Sequence, residues 1–164
     1  MASAEFDPSP LLDLLVRHEV DFVVVGGLAA AARGSARATF EIDVAYARDE
    51  ANLERLAEAL REAGAALRGA PPDVSFLLDA ETLALGQNFT FSTRFGPLDI
   101  LGDPAGAPAY RELREAATPV EIRGFTISVA SLDHVIAMKE AAGRPHDKAT
   151  AAELRAISDE LRAP

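Results

Sequence analysis

Three acidic residues stand in apolar, strand-like surroundings, and their carboxylates have the chemistry to hold a metal ion. Glu41 and Asp43 lie in the segment FEIDVAY, and Asp99 lies in the segment GPLDILG. Side chains two residues apart on a strand point to the same face, so Glu41 and Asp43 are expected side by side. Mg²⁺ prefers oxygen ligands and leaves positions for substrate phosphates. If Asp99 lies on a neighbouring strand, the pattern favours a site for one or two Mg²⁺ ions over an ordinary half-exposed strand.

Two adjacent glycines, Gly26 and Gly27, end the apolar run FVVVGG upstream of the acidic segment. They allow a tight turn and a close approach of a ligand to the backbone. The alanine-rich stretch after them is predicted to be a helix, whose first N–H groups favour a phosphate. A glycine pair alone is typical of any strand-to-helix turn, and the sequence has neither GxGxxG nor GxxxxGK. Its position before the acidic strand is what indicates a nucleotide site.

A second group of residues is predicted to contact a nucleotide on weaker evidence. Arg37 and Thr39 flank the loop before the acidic strand, and Lys139 belongs to a basic cluster. The members of this cluster are Lys139, Arg144, His146 and Lys148. Ordinary explanations stay open, because Lys139 and Arg144 also suit a helix C-terminus and Asp147 suits a helix cap. Thr39 is equally compatible with a hydrogen bond inside the loop.

On these residues the chain resembles the nucleotidyltransferase superfamily, which has a polymerase-β-like fold. More narrowly, it resembles small bacterial proteins related to the AbiEii toxin and the minimal nucleotidyltransferases. The family pattern is Gly-Gly or Gly-Ser after a strand, then an acidic-x-acidic strand, then a third acid on a later strand. The matching residues here are Gly26, Gly27, Glu41, Asp43 and Asp99. The stretch 131–149 also resembles the closing segment of the subgroup.

The resemblance implies an ATP-binding enzyme that transfers a nucleoside monophosphate from an NTP to an acceptor hydroxyl of a protein, an RNA or a small molecule. It implies metal-binding and catalytic roles for Glu41, Asp43 and Asp99. It implies nucleotide contacts for Gly26, Gly27, Arg37, Thr39 and Lys139. Glu41 stands where the family usually carries Asp. The alternative is therefore a weakly active or inactive member that acts by binding, such as a toxin–antitoxin component.

Composition limits the classes of partner. The 164 residues carry a formal net charge of −10, which argues against nonspecific nucleic-acid binding because that depends on clustered Lys and Arg. The absence of cysteine excludes a disulfide framework and fits a reducing cytoplasm. No apolar run suits a membrane helix, and the segment MASAEFDPSP is too polar for a signal peptide. We therefore expect a cytoplasmic protein that does not bind membranes.

Hydrophobic patterning predicts an α/β (α+β) fold, a mixed sheet flanked by helices, in one domain over 1–164. The core is expected over about 20–130, followed by a helical segment over about 131–162. Predicted strands cover 21–25, 41–46, 74–78, 87–94 and 98–101, with two more inside 119–129. Predicted helices cover 11–20, 27–33, 49–63, 107–116, 131–142 and 147–162.

Overall fold

The structure, a computed structural model, describes residues 5–71, 73 and 75–164. Its strands are β1 Phe22–Val25, β2 Ile42–Tyr46, β3 Ala66–Leu67, β4 Asn88–Thr93, β5 Gly96–Leu101, β6 Thr118–Ile122 and β7 Phe125–Val129. Its helices are α1 Ser9–Arg17, α2 Gly26–Ala32, α3 Glu50–Glu62, α4 Ala80–Leu85, α5 Tyr110–Ala116, α6 Leu132–Ala142 and α7 Pro145–Arg162. The predicted fold class, a mixed sheet flanked by helices, is confirmed.

The strands form one seven-stranded sheet in the order β3-β4-β5-β2-β1-β7-β6. β2 is antiparallel to β1 and parallel to β5, and β4–β5 and β6–β7 are antiparallel hairpins. The register of β2 and β5 pairs Asp43 directly with Asp99. The topology therefore places two distant acidic residues on adjacent strands in the middle of the sheet.

Apolar residues alternate with these acids and anchor the two central strands. Ile42 and Val44 of β2, and Leu98 and Ile100 of β5, are fully buried in the core. The helix predicted over 49–63 is confirmed as α3, and Leu53, Leu56 and Leu60 are buried on one of its faces. Because period-two alternation turns Asp43 and Asp99 away from this core, burial of their neighbours fixes where the carboxylates point.

Two features of the chain between α3 and β4 differ from the sequence-based expectation. The predicted strand over 74–78 is wrong for 75–78, which have no regular structure, and Val74 lies outside the described residues. Phe76 instead packs against Phe89 and Phe91, with ring centroids 6.0 Å apart in each pair. The apolar Phe76 side chain is therefore stabilised by packing against these rings and not by pairing of its backbone in the sheet. The short elements β3 and α4 were not predicted.

The C-terminal helices begin at residues with ordinary capping chemistry. Ser131 caps α6, because its side chain accepts a hydrogen bond from the His134 N–H at 3.2 Å. α7 begins at Pro145, two residues earlier than predicted, since proline suits the first turn of a helix. No helix within the described residues is both long and apolar enough to cross a lipid bilayer.

The junction between β1 and α2 brings backbone against the acidic strand. Val25 pairs with Asp43, so the next residue, Gly26, lies beside the Asp43 side chain. Gly26 has a φ of +65°, and a Cβ added there would lie 2.8 Å from the Asp43 Cβ, closer than two carbons can approach. Both the backbone conformation and the space at this position require glycine.

We predict that Gly26→Ala destabilises the protein more than Gly64→Ala does. Gly64 also has a φ of +65°, but a Cβ there would meet no atom within 4 Å. Gly64→Ala therefore measures backbone strain alone, about 1–2 kcal/mol. Gly26→Ala adds overpacking against Asp43, a further loss of about 1–3 kcal/mol. Urea unfolding followed by circular dichroism measures both, and equal losses would contradict the close contact.

Candidate functional site

Three carboxylates meet at the centre of the sheet. β2 and β5 carry Asp43 and Asp99 side by side, and Glu41 lies in the bend just before β2. One carboxylate oxygen from each of the three residues lies within 4.8 Å of those of the other two. The predicted convergence of these side chains is confirmed by this geometry, while their metal-binding and catalytic roles stay a prediction.

The loop before β2 is closed by a contact between Thr39 and the glycine pair. The Thr39 hydroxyl donates a hydrogen bond to the Glu41 carbonyl at 3.2 Å. A Cβ on Gly27 would lie 2.9 Å from the Thr39 Oγ1, so only glycine lets the threonine pack there. Thr39 therefore has a structural role that sequence reasoning had left open, and it orients the backbone from which Glu41 projects.

A cavity of about 400 Å³ adjoins the acidic residues. Its lining includes Glu41 and Asp43, and four residues predicted to bind nucleotide also line it: Gly27, Arg37, Thr39 and Lys139. Arg144 and His146 from the predicted basic cluster contribute further positive groups. Of the described residues in that cluster, Lys148 alone does not line the cavity. The cavity thus combines carboxylates with cations, as a site for a metal-bound polyphosphate requires.

Asp147 holds the basic groups in place. Its side chain is fully buried and accepts hydrogen bonds from Lys139 Nζ at 3.3 Å and Arg144 Nε at 2.7 Å. Burial raises the pKa of the Asp147 carboxyl, but hydrogen bonds from Arg144 and Lys139 outweigh burial and hold the pKa below its usual value. The interpretation of Asp147 as a helix cap is wrong, because α7 begins at Pro145 and Asp147 lies in the first turn of that helix. Asp147 is instead a buried anion that fixes two cations beside the cavity.

Arg68 is a residue of this site that sequence reasoning missed. It follows β3, and its guanidinium donates to Glu41 Oε2 at 3.2 Å and to Asp99 Oδ1. No motif marks it, and β3 is only two residues long, too short for a period-two pattern. Its contact with the acids depends on the pairing of β3 with β4, which places it beside the acidic strands.

Crowding and burial change the proton affinity of two carboxylates. Burial, followed by the negative charges of Glu41 and Asp99, raises the pKa of Asp43 to about 7, against an opposing effect of Lys139. Burial and the charge of Glu41 also raise the pKa of Asp99, and Arg68 opposes this shift. Both residues therefore bind a proton more tightly than an ordinary surface aspartate does.

Solved structures with the same architecture come from nucleotide-transferring proteins. Lincosamide antibiotic adenylyltransferase LnuA, solved with lincomycin bound, has a TM-score of 0.59 at 15% identity, over 91% of this chain and 94% of its own. A candidate nucleotidyltransferase of Thermotoga maritima, TM1012, has a TM-score of 0.54 at 20% identity, over 93% and 90%. The antibiotic-resistance factor ANT(2'')-Ia has a TM-score of 0.54 at 15% identity, also over 93% and 90%.

The chain has a nucleotidyltransferase-like fold. No family model and no curated protein matches the sequence. These solved structures support the fold expected from Gly26-Gly27, the acidic strand and Asp99. Membership of the superfamily and of the narrower AbiEii-like subgroup stays a prediction.

We predict that Asp43→Asn raises the melting temperature of the metal-free protein, and more so at higher pH. An unfolded aspartate ionises near pH 3.9, whereas Asp43 in the folded protein has a pKa of about 7. The native state therefore holds a proton that the unfolded state releases, and this contribution to stability is lost as pH rises from about 4 to 7. Asparagine carries no ionising group and avoids this loss. We expect a gain of about 2–4 °C at pH 8 that shrinks towards pH 4.

The control for this melting experiment is Asp159→Asn, which removes an exposed negative charge from α7. Both variants and the parent protein are melted in buffer with EDTA at several pH values. A gain for Asp43→Asn that is independent of pH, or equal to that of the control, would contradict the raised pKa.

Proposed function

We propose that this protein is a Mg²⁺-dependent nucleotidyltransferase that moves a nucleoside monophosphate from an NTP to an acceptor hydroxyl. The observation that carries the proposal is the meeting of Glu41, Asp43 and Asp99 beside a cavity that also contains Lys139 and Arg144. The nucleotidyltransferase-like fold supports it, since LnuA is an adenylyltransferase of the same architecture.

The donor set fits Mg²⁺. Glu41, Asp43 and Asp99 offer three carboxylate oxygens within 4.8 Å of one another, and hard oxygen ligands are what this ion takes. These residues would hold one or two ions, which when bound supply positive charge to the reacting phosphates. Three carboxylate oxygens would leave other coordination positions for phosphate oxygens.

The nucleotide occupies the cavity in this proposal. Arg37, Lys139 and Arg144 bind the phosphate oxygens by charge-assisted hydrogen bonds. Gly27 and Thr39 line the cavity, so in this proposal the phosphates lie beside them. Gly26 does not line the cavity and instead leaves space for the Asp43 side chain. Asp147 limits the freedom of Lys139 and Arg144, so less side-chain entropy is lost when phosphate binds.

The transfer step joins the acceptor oxygen to the α-phosphorus. The bond from that phosphorus to the oxygen bridging towards the β-phosphate breaks, and pyrophosphate leaves. The proton of the acceptor hydroxyl passes to the carboxylate of Asp99, which lies directly beside Asp43 on the neighbouring strand. Most of the rate gain then comes from holding the attacking and leaving oxygens in line.

The acceptor is a hydroxyl of a protein, an RNA end or a small molecule. LnuA is solved with an antibiotic bound, which supports the small-molecule class. A net charge of −10 disfavours long nucleic acids and favours acceptors that are neutral or positively charged. Because the reaction consumes an NTP, we propose a cytoplasmic location, which the lack of cysteine fits. The resemblance to small bacterial proteins is the basis for proposing a bacterial source.

We predict that Asp43→Asn abolishes Mg²⁺-dependent ATP binding and leaves the fold intact. The substitution removes a charged ligand without removing an apolar group, so the core is unchanged. Isothermal titration with ATP and Mg²⁺, repeated with EDTA, measures the binding. Asp159→Asn is the matched control and should bind like the parent protein. If Asp43→Asn also binds ATP·Mg²⁺ like the parent, no metal bridges nucleotide and sheet at this residue.

The second candidate function is nucleotide binding with little or no transfer, as in a toxin–antitoxin component. Glu41 favours it, because its side chain is one methylene longer than the aspartate usual in the family and one of its oxygens is bound by Arg68. A displaced ligand holds the ion away from the in-line path even when nucleotide binds.

We predict slow transfer by the parent protein and faster transfer by Glu41→Asp, with ATP affinity changed much less. Label transfer from [α-³²P]ATP into components of a cell extract measures the rate, and isothermal titration measures the affinity. Faster transfer by the parent protein would identify Glu41 as a fully adapted ligand. ATP binding without transfer in both proteins would favour the binding function.

A further inference from the structure

Arg68 is placed against the acidic residues by its backbone. Its N–H donates to the Thr90 carbonyl at 2.9 Å, and Thr90 is the partner of Asp99 in the β4–β5 hairpin. One strand, β4, therefore separates the Arg68 backbone from Asp99 on β5. The long Arg68 side chain extends over Thr90 to reach the Asp99 carboxylate. Because the backbone is fixed by this hydrogen bond, the guanidinium can leave the carboxylates by side-chain rotation alone.

The guanidinium joins two of the three carboxylates. One nitrogen binds Glu41 Oε2 at 3.2 Å, and another binds Asp99 Oδ1. The Arg68 side chain remains 34% exposed, so it has a direct route to solvent. The Lys139 side chain is only 15% exposed, and it forms an ion pair with the buried Asp147. Of these two cations, Arg68 is therefore the one that a cation from solution can replace.

A guanidinium and a divalent cation compete for Glu41 and Asp99. Two of the three carboxylates whose oxygens lie within 4.8 Å of one another, those of Glu41 and Asp99, are the ones that Arg68 binds. A metal ion among them would face the positive charge of Arg68 at short range, and the two cations repel each other. Two ligands that bind the same groups exclusively lower each other's affinity by the same factor.

We propose that Arg68 is a built-in counter-ion that competes with the divalent metal and must leave Glu41 and Asp99 when the metal binds. The proposal rests on the proposed function, because it presumes that the carboxylates hold a metal. Arg68 stabilises the crowded carboxylates of the metal-free protein and weakens their affinity for the ion. It is a positioning residue, since it acts on the carboxylates and not on the reacting atoms.

Removing the charge of Arg68 should therefore strengthen metal binding. Mn²⁺ alone is the probe, and the loss of the free-ion signal in electron paramagnetic resonance measures its binding to the full chain. We expect Arg68→Gln to bind Mn²⁺ about tenfold more tightly than the parent protein. Arg68→Lys, which keeps the charge but loses the fork that joins two carboxylates, should lie between them. Arg111→Gln, an exposed arginine on α5, is the control for loss of one positive charge and should not differ from the parent.

A melting curve in EDTA checks that each variant is folded, and Arg68→Gln should melt lower than the parent there. If Arg68 only supported the fold, Arg68→Gln would melt lower and bind Mn²⁺ equally or more weakly, and that result would overturn the proposal. Asp43→Asn in the same titration separates the two hypotheses. Loss of Mn²⁺ binding in Asp43→Asn with unchanged binding in Arg68→Gln rejects the role of Arg68 alone. Equal, nonspecific binding by all variants rejects the metal site and this proposal with it.

Discussion

The crowding of Glu41, Asp43 and Asp99 is the constraint on which the rest of this structure depends. Three carboxylates within 4.8 Å repel one another, and nothing in the local sequence favours that arrangement. Burial of the apolar residues between them holds it together, since each fully buried Ile, Val or Leu contributes about 1.5–3 kcal/mol. The residues that supply this energy are Ile42, Val44, Leu98 and Ile100. Apolar packing therefore offsets the electrostatic repulsion at the centre of the sheet, and the site keeps a high density of negative charge.

Two cations moderate this charge in different ways. Lys139 stays beside Asp43 because the fully buried Asp147 binds it, and a buried anion without a partner would be costly. Arg68 binds Glu41 and Asp99 and remains 34% exposed, and among the residues that the structure describes its guanidinium has no buried anion as an anchor. Lys139 is thus a fixed part of the cavity, whereas Arg68 is available for replacement. In the proposed function, this difference would let the same carboxylates be stable alone and still bind a cation from solution.

Local patterns predicted the parts of the site that neighbours in sequence determine. Gly26-Gly27 marked the turn, alternation around Asp43 and Asp99 marked the strands, and the mixed sheet followed from them. The predicted strand over 74–78 was wrong for 75–78 because an apolar run can either pair in a sheet or pack by its side chains alone. The Phe76 side chain packs against other aromatic rings. Arg68 and the ion pairs of Asp147 depend on contacts between distant segments. Arg68 meets Glu41, which lies 27 positions earlier in the chain, with no pattern that links them.

The three acidic residues are not equally constrained, and this difference bears on what the site does. Asp43 is held within β2 against Gly26, and Asp99 is held within β5 between two strands. Glu41 lies in the bend before β2, is 41% exposed, and has one more rotatable bond than an aspartate. Asp43 and Asp99 form a rigid pair, so any adjustment to a metal or a substrate has to come from Glu41. Since Arg68 binds that same carboxylate, the position of Glu41 is linked to that of Arg68. In the proposed function, these two side chains together would decide between binding a nucleotide and transferring it.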